Sequence, residues 1–343
     1  MIATGKPNLE EQTFKILSVD GGGFKGLYAA TLLNEFEKAH GPIAQHFDML
    51  CGTSTGALIV LPLAAGKSAA DISAFYKEQG PKIFPSPGKL GGIGQLIRQA
   101  WHKSKYSDAA LKAAAEHILG KVRMVDANSY LCIPAFDFTR SKPRVFKTNH
   151  DSSLNRDNML MSDVAVASAA APMFFPIATC QEDQGPAYYI DGGIWANNPA
   201  LVGLIEACRY FVGPGKPYQR VRILSIANVS PACGRLASNK YPASLMAFAG
   251  QLLEAAGEGQ QASISHAINF LGPAMQFGVD YVRIEAPDLS AEQSRGVKLD
   301  IANTKAIETL SHYGANSGQE HKNRDDVKQF FTQATSPPVI TRS

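Results

Sequence analysis

Three glycine-flanked stretches of the chain carry residue types that can do chemistry. The first is Gly52-Thr53-Ser54-Thr55-Gly56, set between two short apolar runs, residues 47–51 and 57–61. That pattern predicts a strand, a tight elbow and a helix. Gly52 and Gly56 give the turn the small, permissive neighbours it needs, so the Ser54 hydroxyl projects while the following helix aims its first amides near it. This is how a serine nucleophile is presented. In a chain with 30 glycines the motif alone is weak, and a serine in an ordinary turn is the plain alternative.

The second stretch is Asp20-Gly21-Gly22-Gly23-Phe24-Lys25-Gly26. It follows the β-rich residues 14–19 and precedes the helical pattern Leu27, Ala30, Leu32, Leu33, Phe36. A glycine loop between strand and helix can turn a row of backbone N–H groups toward an anion, either a phosphate or the oxyanion of acyl transfer. The spacing also fits G-x-G-x-x-G, but a dinucleotide site needs an acidic residue about 20 positions on, at the end of a second strand. Here Asp48 opens that strand instead. Lys25 reads either as a solvated side chain or as a contact to an anion. The third stretch, Asp191-Gly192-Gly193, follows a predicted strand at residues 187–190. Asp191 there is either a base for a serine or the start of an Asx-turn. None of the eight histidines lies in a motif resembling an acid–base element, so a Ser-His-Asp triad through His266 or His312 is the second mechanism.

The elements that must position these residues alternate along the chain. Ser68 and Asp71 predict a capped helix carrying Ile72, Phe75 and Tyr76 on one face, stopped by Gly80-Pro81. Ser107 caps a helix over 109–119, ended by Gly120. Residues 130–137 and 144–148 read as two strands joined by a polar turn. A small-residue helix over 162–171, capped by Ser162, is terminated by Pro172. A helix runs from Pro199 to about Tyr210, and 221–226 is a buried strand. The apolar-periodic segment 245–270 is interrupted at Gly257 and Gly259, and a strand at 281–285 and polar C-terminal helices follow. Strands alternating with helices imply a mostly parallel sheet covered on both faces. Residues 96–105 mix apolar and basic side chains, as in a solvated helix face or a lid meeting anionic headgroups.

Composition bounds the class. With 343 residues, 45% hydrophobic and 18% charged, the chain can bury a large core, and no linker divides it. A formal net charge of +3 does not point to DNA or RNA. Cys51, Cys132, Cys180, Cys208 and Cys233 are widely spaced without C-x-x-C, as expected of reduced thiols in a cytosolic protein. No secretory signal is visible, and the longest strongly apolar segment, 57–65, is far below the roughly 20 residues that span a bilayer.

Taken jointly and in this order, the three stretches resemble the patatin-like phospholipases. The resemblance extends to Ala169-Ala170-Ala171-Pro172-Met173-Phe174-Phe175-Pro176 and to Asp191 through Pro199, and it covers roughly residues 14–300. It implies a patatin-like three-layer α/β/α fold: a tail at 1–13, the patatin-like domain at 14–300 and a helical extension at 301–343 packed on the same domain. It also implies a Ser/Asp dyad, with Ser54 the nucleophile in the Gly52/Gly56 elbow and Asp191 its base before the Gly192-Gly193 turn. The loop of Gly21, Gly22, Gly23, Lys25 and Gly26 would form the oxyanion hole, and neither metal nor cofactor is required. The substrate would be a membrane phospholipid or galactolipid, met peripherally at the inner membrane by a cytoplasmic enzyme. Bacterial members of this kind are switched on by cyclic nucleotides in antiphage defence. That implies a cyclic di- or trinucleotide activator bound by basic residues between Arg98 and Lys105 or after Arg220, and a homo-oligomer on activation. The alternatives are a constitutive lipid acyl hydrolase and a non-catalytic lipid-binding protein.

Overall fold

The structure, a computed structural model, describes residues 13–85, 104–151, 154, 158–182, 185–229 and 245–341. The strands are β1 (Thr13–Val19), β2 (Met49–Gly52), β3 (Tyr130–Asp137), β4 (Lys142–Lys147), β5 (Ala178–Glu182), β6 (Gly185–Asp191), β7 (Arg220–Ile226) and β8 (Gly278–Ile284). They form one sheet in the order β5-β6-β3-β2-β1-β7-β8, with β4 also paired to β3. From β3 through β2, β1 and β7 to β8 every pairing is parallel, and β4, β5 and β6 add antiparallel pairs.

Both faces are covered, so β1 is buried along its whole length, Thr13, Lys15 and Ser18 included. Leu17 and Val19 point to one side, where α1 (Gly26–His40), α2 (Ala57–Ala64), α3 (Ala69–Ile83), α4 (Asp108–Leu119) and α5 (Met161–Ala169) contribute the core. Phe14 and Ile16 point to the other, against Leu204, Ala207 and Phe211 at α7 (Ala200–Tyr210), which follows the short α6 (Gly193–Ala196). The result is the three-layer α/β/α sandwich.

The register of β3 explains where the site forms. Cys132 pairs with Cys51 of β2 and with Lys147 of β4, so those strands lie on opposite edges. Ala135 pairs with Arg144 of β4 and with Asp191 of β6, which places β6 on the same edge as β2. Parallel β2 and antiparallel β6 therefore run head-on toward each other along one edge of β3. They stop on either side of Pro134, a residue that has no N–H to offer a ladder. Ser54 lies just past the end of β2 and Asp191 ends β6, so the topology delivers both residues to one gap.

Three local expectations are corrected. Gly80-Pro81 does not stop α3, which continues to Ile83. Pro81 removes only one bond in the last turn, and a side chain at Gly80 would collide with the Phe24 ring. Ser162 does not cap α5, which begins at Met161, because Met161 N is tied to Val122 O beside the Arg123–Leu160 bridge. That helix also ends at Ala169, short of Pro172, where Ala170 O turns to accept from Asp191 N. Gly257 and Gly259 do not interrupt α8 (Leu245–Leu271): a glycine costs a helix only about 1 kcal/mol, and Gly257 packs buried beside Asn197.

The C-terminal segment packs on the same sandwich. After α9 (Ala291–Gly296), α10 (Thr304–His321) lays Gly314 and Gly318 against Tyr28 O, Thr31 and Glu35 of α1, a close crossing that small residues permit. Beyond α11 (Asp325–Lys328), Phe330 and Phe331 stack on Phe47 and His40. Among the described residues no helix is long and apolar enough to cross a membrane. Cys51, Cys132 and Cys180 are free and buried; Cys233 and most of the basic segment 96–105 lie outside the described residues.

Candidate active site

Ser54 is the turning point of the elbow. Its φ is +56°, a left-handed conformation that costs a non-glycine residue about 1–3 kcal/mol and persists only where the surroundings over-determine it. Here they do. Gly52 and Gly56 must be bare: a Cβ on Gly52 would strike Gly56 O and Val60, and one on Gly56 would strike Val19 O at the end of β1. Ser54 N donates to Ser168 Oγ at 3.0 Å, and Ser168 Oγ donates to Pro134 O at 2.6 Å, so α5 closes the gap between β2 and β6. Thr53 Oγ1 donates to Ala196 O at 2.6 Å and locks the other side.

The hydroxyl so presented donates to Asp191 Oδ2 at 2.6 Å. Asp191 Oδ1 accepts from Gly193 N at 2.6 Å, the turn that Gly192 and Gly193 build. Gly192 itself packs where a side chain would meet Pro134 O. Ser54 and Asp191 are both buried, 8% and 6% exposed. Burial pushes the Asp191 carboxyl up to about 6, against the opposing pull of the Ser54 and Gly193 hydrogen bonds. A carboxylate of that basicity is better matched to accepting a serine proton near neutral pH. His266 stacks on Phe270 and His312 bonds Asn316; neither lines the cavity over Ser54, and the triad alternative finds no support.

The glycine loop closes over the same point. A Cβ on Gly21 would stand 3.5 Å from Ser54 Cβ. Gly21 N donates to Asn197 O, Phe24 N to Leu299 O, Lys25 N to Gly22 O and Gly26 N to Gly23 O. Those amides are spoken for, so Gly21, Lys25 and Gly26 frame the loop. Gly22 and Gly23 line the cavity beside Ser54, and their amides have no acceptor among the described residues. Gly23 holds φ +57°, and Leu299 O lies where its side chain would be, so only glycine fits. Lys25 is buried, 3% exposed, and also lines the cavity.

That cavity has a volume of about 130 Å³. Its lining is polar at the loop, Ser54, Asp191, Asn197 and Asn228 and apolar at Leu58, Phe75, Ile83, Phe84, Phe174 and Phe175. A cleft that joins a buried serine and carboxylate to apolar side chains suits an ester attached to a hydrocarbon chain. The dinucleotide alternative fails on position. Asp48 precedes β2 at the far end of the sheet from the glycine loop, where its carboxylate accepts from Lys15 N.

Sequence reasoning missed the supports. Ser168 gave only a small-residue helix, and Asn197 lay unassigned in the stretch from Asp191 through Pro199. Asn228, Arg283 and Leu299 reach the loop from more than 200 positions away and leave no local mark.

The patatin-like phospholipase family profile matches residues 17–204. A protein of Pseudomonas aeruginosa named cGAMP-activated phospholipase is 33% identical, over 96% of this chain and 95% of its own. One of the same name from Vibrio cholerae is 29% identical over 92% and 94%. Patatin-like protein 2 of rice, Oryza sativa subsp. indica, is 31% identical over 66% and 62%. The chain therefore belongs to the patatin-like phospholipase family and is a lipid hydrolase.

Proposed function

We propose that Ser54 and Asp191 act as nucleophile and base in cleaving an ester bond of membrane phospholipids through an acyl-enzyme. The observation that carries this reading is the 2.6 Å hydrogen bond from Ser54 Oγ to Asp191 Oδ2, made inside the cavity that the glycine loop lines. Ser54 Oγ attacks the ester carbonyl carbon and its proton passes to Asp191 Oδ2. The carbonyl oxygen takes up negative charge facing the amides of Gly22 and Gly23, each such donor contributing about 2.7–4 kcal/mol. The C–O bond to glycerol then breaks, and the leaving oxygen takes the proton from Asp191. A water molecule attacks the acyl ester with Asp191 as base, which releases the fatty acid and restores Ser54. The apolar wall around Phe75, Phe84 and Phe175 receives the acyl chain.

Control by a cyclic nucleotide, in defence against phage, is the second part of the proposal. It is supported by two relatives, matched over more than nine-tenths of this chain, whose names state cGAMP activation. The test is hydrolysis of a fluorogenic phospholipid in vesicles by the wild type and Ser54→Ala, with and without a panel of cyclic di- and trinucleotides that includes cGAMP. Release by the wild type only with a nucleotide, and none by Ser54→Ala, is expected. Full release without nucleotide would remove the control and leave a constitutive hydrolase. Release by Ser54→Ala would end the dyad assignment.

A further inference from the structure

One buried charge pair stands immediately behind the glycine loop and is used by no step above. Arg283 of β8 reaches across β7 and donates from Nη2 to Asp20 Oδ2 at 2.7 Å. Its Nη1 donates to Ser225 Oγ at 2.8 Å, and Nη2 is also 3.4 Å from Gln261 Oε1 of α8. Nε donates to Glu285 at 2.8 Å. The Asp20 side chain is fully buried and that of Arg283 is 8% exposed.

Such a pair is a poor source of stability, because desolvating two charges consumes most of what their attraction returns. This one carries a further cost. Asp20 Oδ1 is buried without a partner among the described residues. Burial outweighs the guanidinium and pushes the Asp20 carboxyl up to about 6, while the same pairing pushes Arg283 up and keeps it charged. These costs fall one residue before Gly21. Asp20 N still belongs to the β1–β7 ladder through Ile226 O, whereas Asp20 O already accepts from Asn228 Nδ2 at 2.7 Å. Asp20 is thus the last residue held by the sheet and the first held by side chains. Gln261 lines the cavity over Ser54, so the same guanidinium ties the loop to the helix facing it.

We propose that Arg283 is a positioning residue for the hydrolysis: by gripping Asp20 from β8 it orients the peptides that follow, so that the Gly22 and Gly23 amides face the ester oxygen beside Ser54. This rests on the reading of the glycine loop as the oxyanion hole. It predicts a loss confined to the charged state of the reaction, leaving substrate binding and the Ser54–Asp191 bond in place.

The test compares wild type, Arg283→Gln, Arg283→Lys, Ser225→Ala and Ser54→Ala as full chains, under the condition that supports wild-type turnover. Hydrolysis of a fluorogenic phospholipid is normalised to sites titrated with a fluorophosphonate, and affinity is measured for a trifluoromethyl ketone, whose adduct with serine carries an oxyanion. Arg283→Gln should lower kcat roughly 100-fold with KM changed less than about threefold, and the ketone should weaken in parallel with kcat/KM. Arg283→Lys should recover at least a tenth of wild-type kcat, since an ammonium can still meet Asp20. Ser225→Ala, which leaves the ion pair intact, should lower kcat roughly threefold to tenfold at unchanged KM. If Arg283→Gln is folded and turns over within threefold of wild type, or if it loses sites while each remaining site keeps wild-type kcat and ketone affinity, the proposal is overturned. Should that variant fail to fold, wild-type kcat in both Arg283→Lys and Ser225→Ala overturns it equally. Activity in Ser54→Ala would instead bring down the reading on which it rests, so the two failures are distinguishable.

Discussion

The two halves of this site are held in opposite ways. The half proposed to carry the nucleophile is braced by its own glycines and from the middle of the chain. Ser54 is pinned by Gly52, Gly56, Thr53 and Ser168, and Asp191 arrives on a strand that shares an edge of β3 with β2. The glycine-loop half, proposed as the oxyanion hole, is braced by Asn197 and from later in the chain by Asn228, Arg283 through Asp20, and Leu299. The halves meet at adjacent carbonyls, Ala196 O accepting from Thr53 and Asn197 O from Gly21. A strained serine needs dense local support to stay strained, whereas a loop that must hold free amides cannot satisfy itself and depends on outside partners. Changes in the C-terminal third of the chain should therefore reach catalysis through the loop and leave the nucleophile intact.

The largest effect should come from Asp191→Asn. The amide still fits between Ser54 and Gly193 N but cannot take a proton, and phospholipid hydrolysis should fall by at least roughly 1,000-fold. The same change should raise stability. Burial lifts Asp191 above its ordinary value, so its contribution to stability is fully present below the unfolded pKa near 4 and is lost as pH rises through about 6. At pH 7 the neutral amide escapes a cost on the order of 3 kcal/mol, and calorimetry should show a higher Tm. An inactive variant that is also less stable would contradict this.

Gly23→Ala attacks the other half. The added methyl meets Leu299 O at a positive φ, so the loop must move. A roughly 100-fold loss in kcat is expected, with fluorophosphonate labelling of Ser54 slowed but complete. Ser168→Ala sharpens the contrast, because it leaves Ser54 N buried without an acceptor. The expected cost is about 1–3 kcal/mol in denaturant unfolding and a roughly tenfold drop in kcat. The pH profile separates the halves again. For the wild type, kcat/KM should rise with pH through a single limb near 6 as Asp191 ionises. Asp20 has a similar value, so the limb should persist, at lower amplitude, in Asp20→Asn. Its disappearance there would move the titrating role to the loop side. The smallest effect is expected of Tyr76→Phe, which removes a 2.9 Å hydrogen bond to Thr55 O behind the elbow. About 1 kcal/mol of stability should be lost, and kcat should stay within a few-fold of wild type.

The same contrast decides what could be read from the sequence. The elbow, the glycine loop and the Asp191 turn were legible because backbone crowding dictates residue identity at fixed spacing: Gly52, Gly56 and Gly23 admit no side chain. The mostly parallel sheet covered on both faces was legible from the alternation of strands and helices along the chain. Capping by Ser68 was local and held, with Asp71 completing the box. Gly80-Pro81, Ser162 and Gly257 misled because tertiary contacts overrode local preference. Gly80 makes room for Phe24, the Val122 pairing starts α5 one residue early, and Gly257 lies under Asn197. Arg283 could not be found at all. It is 263 residues from Asp20, and nothing at residues 278–284 distinguishes a positioning guanidinium from an ordinary charge at the edge of a sheet.

The central claim is that the acyl group passes through Ser54 with Asp191 as its base. The most direct measurement is mass spectrometry of the wild type and Ser54→Ala quenched in acid during phospholipid turnover, with fatty-acid release followed in parallel. The account predicts an acyl mass on the peptide containing Ser54 in the wild type, and in Ser54→Ala neither that mass nor fatty-acid release. An acyl group on another residue, or sustained release by Ser54→Ala, would contradict it.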